Sequence, residues 1–324
     1  MADHTAIEWT DATWSPWEGC TKVSTAASGG GGCDNCYAEA MNRWLHKGNN
    51  WGPGASRRAY SEAHWQKPIR WDAKAQAAGK RMRVFPSVCD PFDNEVDPAW
   101  RARFFALIYC TPHLDWLLLT KRIGNAAKML EAPGMQKVTP GNVSLGITAV
   151  NQTELDRDAP KLLRIQARVH FLSYEPALGP IEAARWLGPQ CFGGSVPGPG
   201  GVGGVTCPRC GGASGHCPGI SWVIAGGESG PRARPAHPDW FRSLRDQCAA
   251  SGVPFLFKQW GEWLPAEFPS DEECFADDGS ERQLEGRIRR VRVDGHVDMA
   301  RIGKKAAGRQ LDGRTHDDYP KAIP

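Results

Sequence analysis

After residue 80, short and continuously apolar runs are each followed by polar residues and then by a stretch with helical spacing. Unbroken apolar character over a few residues is typical of parallel strands that are buried on both faces. The runs are RVFPSV (83–88), WLLLT (116–120), VSLGIT (143–148), VHFLS (169–173), SWVIAG (221–226) and PFLF (254–257). Together with one strand before residue 20, they predict an α/β fold, a full or partial (β/α) barrel, with a doubly wound open sheet as the alternative.

Helix start signals lie between these runs. Asp97 stands before Pro98 and predicts an N-cap followed by the first helical residue. Asn151 has a glutamate three residues later, which is the spacing of a capping box. A later helix is predicted to bury one apolar stripe, formed by Trp240, Leu244 and Cys248.

Polar residues follow the predicted strands at their carboxyl ends, where a (β/α) barrel builds its active site. They are Ser87, Asp90, Thr120, Lys121, Arg122, Thr148, Glu175, Glu228, Ser229, Lys258 and Gln259. Loop starts are often polar, but this arrangement recurs after strand upon strand. We therefore expect these residues to meet at one edge of the sheet.

Two segments interrupt the pattern. Residues 185–220 are rich in glycine and proline, whereas residues 264–324 are polar and hold the sequence RIRRVRVDGHVDM. The dipeptide Asp294-Gly295 predicts a small hairpin there. We expect residues 1–263 to form a barrel domain that the first segment interrupts, with 264–324 as a C-terminal appendage.

Composition limits the function classes. The chain has 324 residues, 41% hydrophobic residues, 11 cysteines and a net charge of +3, which is too small to indicate a nucleic-acid partner by itself. No apolar run reaches the roughly 18 residues of a membrane span, and the N-terminus does not resemble a signal peptide. We expect a cytoplasmic protein without a membrane partner, whose cysteines are reduced or bound to metal.

Three cysteines form the most distinctive pattern. Cys20, Cys33 and Cys36 have the spacing C-x12-C-x2-C, and a helical stretch begins at the last of them. Three thiolates can hold three irons of a 4Fe-4S cluster and leave the fourth iron open to S-adenosylmethionine. A zinc or redox triad is the alternative. Cys89 lies two residues after Ser87 and is predicted to come close to the same site.

Several motifs resemble those of the radical SAM superfamily. The sequence CDNCY (33–37) is similar to its cluster loop, and FPSVCDPFDNE (85–95), LLLTKR (117–122) and SLGIT (144–148) resemble stretches of its spore photoproduct lyase-like members. Further motifs resemble a phage and bacterial family of three-cysteine-motif proteins of unknown function: GCTKVS (19–24), GGESGPRARPAHPDW (226–240), FKQWG (257–261) and GKKAAGRQLDGR (303–314). The twelve residues between Cys20 and Cys33 exceed the usual spacing, which leaves open whether Cys20 is the first cluster ligand.

The resemblance implies a radical SAM-type barrel that cleaves S-adenosylmethionine at a cluster held by the three cysteines. Lys121 would pair with the carboxylate of S-adenosylmethionine, Ser87 would bind its amino group, and the backbone near Tyr37 would lie against its adenine. Asp90 would hydrogen-bond the ribose or orient neighbouring groups, and Thr148 would complete the cofactor site. The resemblance also implies a reductase, flavodoxin or ferredoxin as electron donor.

The predicted substrate site comprises Glu175, Glu228, Ser229, Arg232, Lys258 and Gln259. Residues 57–83 hold eight lysines and arginines interleaved with Trp65 and Trp71, a pattern typical of backbone neutralisation and base stacking, although a solvated charged face has the same pattern. We therefore expect a nucleobase, nucleotide or nucleic acid as substrate. The alternatives are a non-catalytic, zinc-stabilised nucleic-acid-binding protein of phage type, or a zinc hydrolase with ligands that the sequence does not place.

A second cysteine group lies in the 185–220 insertion. Its members are Cys191, Cys207, Cys210 and Cys217. Because the segment is too rich in glycine to build a core, we expect a structural zinc there, with His216 as a substitute ligand. An auxiliary iron–sulfur cluster is a further alternative. Cys89 and Tyr174 are candidate hydrogen donors for quenching a radical.

Overall fold

The computed structural model describes residues 3–23, 31–132, 140–188, 218–266, 289–293 and 297–320. In chain order its elements are β1 (Ala12–Thr13), β2 (Trp17–Glu18), α1 (Tyr37–His46), β3 (Arg58–Ala59), α2 (Glu62–Ala77), β4 (Met82–Phe85), α3 (Pro98–Tyr109), β5 (Leu114–Thr120), α4 (Ile123–Leu130), β6 (Val143–Thr148), α5 (Gln152–Leu162), β7 (Val169–Tyr174), β8 (Trp222–Gly226), α6 (Pro238–Ala250), β9 (Phe255–Gln259), β10 (Trp263–Pro265), β11 (Arg289–Val293), β12 (Val297–Arg301), α7 (Lys304–Ala307), β13 (Gln310–Leu311) and β14 (Arg314–Thr315).

The main sheet has seven parallel strands in the order β1-β4-β5-β6-β7-β8-β9. It curls into a half-barrel, so the prediction of an α/β fold with a partial barrel is confirmed at that level. The apolar runs of the sequence match β4 to β9 closely. The strand predicted over 83–88 ends at Phe85, because Pro86 has no amide hydrogen to donate to the ladder.

The two faces of the sheet bury different cores. The convex face packs against the helices. The concave face holds a separate apolar cluster formed by Trp9, Phe85, Leu117, Val169, Phe171, Trp222, Ile224 and Leu256. Gly146 on β6 makes room for this cluster, since a Cβ there would lie 2.4 Å from the Phe171 ring. Along each strand, side chains alternate between the two faces of the sheet. A residue two positions after a member of this cluster therefore also lies on the concave face.

The helices begin largely where the sequence indicates. Asp97 caps α3 by accepting a hydrogen bond from the Ala99 amide at 2.8 Å. Asn151 caps α5 by accepting from the Glu154 amide at 3.0 Å, but the Glu154 carboxylate accepts from Val150 rather than from Asn151. The buried stripe of α6 comprises Phe241, Leu244 and Cys248, and Trp240 is partly buried beside it.

The tryptophans of the basic segment are core residues. Trp65 and Trp71 on α2 are 5% and 6% exposed, so neither indole can stack on a base. Two arginines of the segment are paired, since Arg57 contacts Asp93 at 2.7 Å and Arg81 contacts Asp115 at 2.8 Å. The prediction of a nucleic-acid surface built on these tryptophans is therefore wrong.

The chain after β9 packs back onto the barrel. Strand β12 pairs antiparallel with both β10 and β11, and residues 294–296 between β11 and β12 lie outside the described residues. His316 accepts a hydrogen bond from the Phe257 amide at 2.9 Å, and Gln310 accepts from the Trp260 indole at 2.7 Å. Tyr319 reaches the N-terminal segment, where its hydroxyl donates to the Glu8 carbonyl at 2.5 Å. No helix in the described parts of the chain is both long and apolar enough to span a membrane.

Candidate functional site

The three predicted cluster ligands lie at the carboxyl edge of the sheet. Cys20 follows β2 and forms a bridge with Trp51, while its neighbour Gly19 bridges Cys89 in the loop after β4. Cys36 is the N-cap of α1. The Cys33 thiol lies close enough to both Cys20 and Cys36 to act on their pKa values. The structure therefore brings the predicted ligands into one region, with Cys89 beside them.

Two of the three thiols, those of Cys20 and Cys36, are held in a poorly solvated environment. Burial, reinforced by the nearby Asp90 carboxylate, raises the pKa of Cys20 to about 12, although Arg122 donates to its sulfur at 3.4 Å. Burial also raises the pKa of Cys36, and the first amides of α1 and the Lys121 ammonium oppose that rise. Such thiols become thiolates when a metal cation replaces the proton.

Three cysteine donors can serve a zinc ion or an iron–sulfur cluster, and the two differ in how far apart the sulfurs stand. In a tetrahedral zinc site, Zn–S bonds of about 2.3 Å bring the sulfurs close together around one ion. In the described ranges, no group of three histidine, cysteine, aspartate or glutamate side chains is arranged to hold a metal ion. In a cuboidal cluster each thiolate binds a different iron, so the sulfurs stand farther apart.

The GGESG turn after β8 holds the cysteine loop in place. The Arg234 guanidinium forms two hydrogen bonds with the Glu228 carboxylate, at 2.7 and 2.9 Å, and the Arg234 amide donates to it at 2.8 Å. The same guanidinium donates to the Gly31 carbonyl at 3.2 Å and contacts Asp34 at 3.4 Å. Asn35 donates to the Arg232 carbonyl at 2.8 Å. Glu228, predicted to bind substrate, is thus part of a hydrogen-bonded network with Arg234, Gly31 and Asp34 that surrounds Cys33. We call this network the brace.

Asp90 connects the loop after β4 to the end of β5. Its Oδ1 accepts from the Thr120 hydroxyl at 2.7 Å and from the Phe92 amide at 2.9 Å. Its Oδ2 accepts from the Lys121 amide at 3.1 Å and contacts the Arg122 guanidinium at 3.5 Å. The side chain is almost fully buried. Of the two roles predicted for Asp90, these protein donors around its carboxylate match the orientation of neighbouring groups.

Lys121 lies on the concave side, two positions beyond Leu119 of β5. Its stem packs near Gly32, where a Cβ would lie 3.6 Å from Lys121 Cε. Its ammonium is close enough to favour the Cys36 thiolate. Among the described residues, Lys121 Nζ has no hydrogen-bond or ion-pair partner. An unpaired, half-buried ammonium beside the cysteines is suited to bind a carboxylate.

Other predicted residues line the same wall. The Tyr37 hydroxyl donates to the Ser87 carbonyl at 2.6 Å. Lys258 and Glu175 form an ion pair at 2.8 Å, and the Ser173 hydroxyl lies 3.3 Å from the same carboxylate. Thr148 is buried at the end of β6.

The remaining predicted substrate residues differ in their roles. Gln259 donates to the Ser229 hydroxyl at 2.7 Å, so this pair supports the turn after β8. Arg232 is exposed, next to a cavity of about 310 Å³ that Cys36, Tyr37 and Ser229 also line.

A family model for a protein of unknown function, DUF5131, matches residues 4–320. The chain belongs to the DUF5131 family. No curated protein and no solved structure matches this DUF5131 chain significantly. Because the match includes the cysteine loop, the strand ends and the C-terminal segment, the brace and the concave wall lie within the family's own domain.

Two predictions for the DUF5131 chain concern residues elsewhere. Cys191, Cys207, Cys210 and Cys217 lie outside the described residues, so the zinc site stays a prediction. Tyr174 is fully buried on the convex side, where its hydroxyl donates to the Gly179 carbonyl at 2.5 Å. That position is wrong for a hydrogen donor in the barrel mouth, whereas Cys89 lies close to Cys20 and Tyr37.

The site contains two arginines whose roles the sequence did not reveal. Arg234 lies two residues after the predicted substrate residue Arg232, and it is paired with Glu228. Arg122 contacts both Cys20 and Asp90 and donates to the Thr21 carbonyl. The sequence feature that could have indicated a role for Arg122 is its position directly after Lys121 at the end of a strand.

Proposed function

We propose that the protein is a radical SAM enzyme whose Cys20, Cys33 and Cys36 hold a 4Fe-4S cluster. When bound and reduced, the cluster supplies the electron that cleaves S-adenosylmethionine into methionine and a 5′-deoxyadenosyl radical, which abstracts hydrogen from a substrate. The observation that carries the proposal is the unpaired Lys121 ammonium beside three cysteines at the carboxyl edge of a parallel half-barrel. Barrel enzymes place their chemistry at that edge.

The residues of the chain have distinct roles in this proposal. Lys121 binds the carboxylate of S-adenosylmethionine, Ser87 binds its amino group, and the Tyr37 backbone lies against its adenine. Thr148 extends the polar wall. Arg122 stabilises the Cys20 thiolate through its contact at 3.4 Å. The apolar cluster below the site, with Phe171 and Trp222 fully or nearly fully buried, closes the barrel against water.

The Glu175–Lys258 pair on the same wall supports the proposed substrate class. The pair offers a hydrogen-bond acceptor and a donor side by side. A nucleobase edge offers the complementary groups, so we propose a nucleobase or nucleotide as substrate. The proposal also includes a flavodoxin, ferredoxin or reductase as electron donor, and the cytoplasm as location, because thiols stay reduced there.

Anaerobic reconstitution with iron and sulfide, followed by reduction and electron paramagnetic resonance, tests the proposal. We expect a reduced-cluster signal that shifts on addition of S-adenosylmethionine and is lost in Cys33→Ala and Cys36→Ala. Cys110→Ala is the matched control, because Cys110 is exposed at the end of α3 and precedes the amino end of β5. A protein that binds zinc alone and gives no signal that responds to S-adenosylmethionine would refute the radical mechanism.

Lys121→Ala is expected to weaken binding of S-adenosylmethionine to the reconstituted protein by about 10- to 100-fold. A hydrogen bond to a charged group contributes about 1.5–3 kcal/mol, which corresponds to that change in Kd. Equilibrium titration measures the effect directly. Lys128→Ala removes an exposed lysine of α4 and should leave the affinity unchanged. Equal affinities of the Lys121→Ala variant and the parent protein would remove Lys121 from the site.

A further inference from the structure

Helix α1 buries its polar face and exposes its apolar face. The buried side chains are Ala38, Glu39 and Asn42. The exposed stripe comprises Tyr37, Met41, Trp44 and Leu45, in which Trp44 is 83% exposed, Tyr37 55% and Leu45 51%, while Met41 is partly buried. A surface helix normally has the opposite arrangement.

The inversion has a local cause. Asn42 donates to the buried Glu18 carboxylate at 2.6 Å, and Glu39 pairs with Lys22 at 2.8 Å. These contacts fix the polar side of α1 against the loop around Cys20. The apolar side must then face outward. Contiguous exposed apolar side chains of this kind mark interaction sites.

The composition of the stripe indicates a protein partner. Trp, Tyr, Met and Arg are the residues enriched in protein interfaces, and Trp44 stands beside the exposed Arg43. Met41 and Leu45 have no aromatic face on which a base could stack, so a nucleic acid fits the stripe less well. No other part of the chain that the structure describes covers Trp44.

Charge specifies the partner further. Exposed cations flank the stripe at Lys47 and Arg232, and Arg43 pairs with Glu39 at 2.8 Å but keeps a side chain that is 63% exposed. Complementary charge would come from an acidic surface. The stripe is also continuous with the site, because α1 begins directly after Cys36.

We propose that the outer face of α1 is the docking surface for a small acidic protein that donates one electron to the site. This inference rests on the proposed function, since it assigns the entry point of the electron. The donor loses one electron and the cluster gains it, without any bond being made or broken. A donor seated on α1 lies next to Cys36, which gives the electron a short path.

The test compares two reductants on the reconstituted protein. Dithionite needs no docking surface, whereas a reduced flavodoxin or a reduced plant-type ferredoxin does. We expect Trp44→Ala to lower the second-order rate of cluster reduction by flavodoxin about tenfold or more, because truncation of an interface tryptophan typically has that effect. Reduction by dithionite should not change. Tyr109→Ala, which truncates an exposed aromatic residue on α3, is the matched control.

Lys47→Glu tests the charge argument independently. Its rate with flavodoxin should fall at low salt and approach that of the parent protein at high salt. Equal rates for the parent protein and Trp44→Ala would overturn the docking surface while the proposed function stands. Failure of dithionite to produce a reduced cluster would overturn both. Unchanged reduction combined with weaker oligo-dT binding, or with loss of a dimer in sedimentation, would assign the stripe to another occupant and overturn the inference.

Discussion

Asp90→Ala is expected to lower the free energy of unfolding by about 3–5 kcal/mol. The buried carboxylate accepts from Thr120, Phe92 and Lys121 and contacts the Arg122 guanidinium. Its removal leaves two amides and the Thr120 hydroxyl without their acceptor and takes the carboxylate away from the Arg122 guanidinium, and loss of one partner of a buried ion pair typically has this effect. Urea denaturation of the reduced protein without metal measures the change.

Two variants distinguish the loss of the Asp90 hydrogen-bond network from the loss of a negative charge alone. Asp90→Asn retains one acceptor oxygen and should lose roughly half as much stability. Asp11→Ala breaks an ion pair with Arg83 in which the Asp11 side chain is 38% exposed, and should change the free energy by about 1 kcal/mol or less. A loss below 1 kcal/mol in Asp90→Ala, together with weak binding of S-adenosylmethionine, would instead support the role that the sequence indicated.

Glu228→Ala is expected to release the cysteine loop. Without the carboxylate, the Arg234 guanidinium loses its bidentate partner and turns toward solvent, so its contacts with Gly31 and Asp34 are lost. We expect amide exchange at residues 33–36 to accelerate at least tenfold, since the pair is partly buried and bidentate. Iron retained after reconstitution should fall to less than half of the parent value.

Hydrogen exchange followed by mass spectrometry measures the amide exchange rates at residues 33–36 in protein that contains no metal. Asp239→Ala is the control, because it breaks an exposed ion pair with Arg242 on α6 and should leave the loop unchanged. If Glu228 served the substrate alone, as the sequence suggested, exchange at 33–36 would be the same in the variant and the parent protein.

The strand ends were predictable because the geometry of parallel strands is regular. The apolar runs located β4 to β9, and alternation along β5 places Lys121 on the same face as Leu117 and Leu119. A strand therefore fixes both the edge and the face on which its last side chain lies. The same regularity brought Thr148 and Lys258 to the concave wall.

Partners within loops were not predictable in the same way. Glu228 and Arg234 are six residues apart in a turn, and their pairing depends on backbone angles that composition does not specify. Asp90 likewise finds its donors on another strand. A motif shows that such residues matter, but it does not distinguish a carboxylate that binds a ligand from one that organises the loop around it.

The spacing of the tryptophans of α2 indicates that they are buried, but the lysines and arginines around them suggested a nucleic-acid surface instead. The buried residues of this helix are Trp65, Pro68, Trp71 and Ala75, which recur at helical spacing. That period assigns both indoles to the core. For α1 the period alone was insufficient, because the side that faces the protein is determined by Glu18, a residue of a different segment.

Tyr319 makes contacts that can form only late in the synthesis of the chain. Its ring lies 5.5 Å from Trp222 and 4.3 Å from the Arg83 guanidinium, and its hydroxyl bonds to the carbonyl of a residue 311 positions earlier. Trp222 also donates to the Asp318 carbonyl at 3.0 Å. A growing chain on the ribosome cannot seal this end of the barrel until residues 318 and 319 have been synthesised. Until then, Trp222 lacks the contacts that Asp318 and Tyr319 provide, so this part of the core is completed late in synthesis.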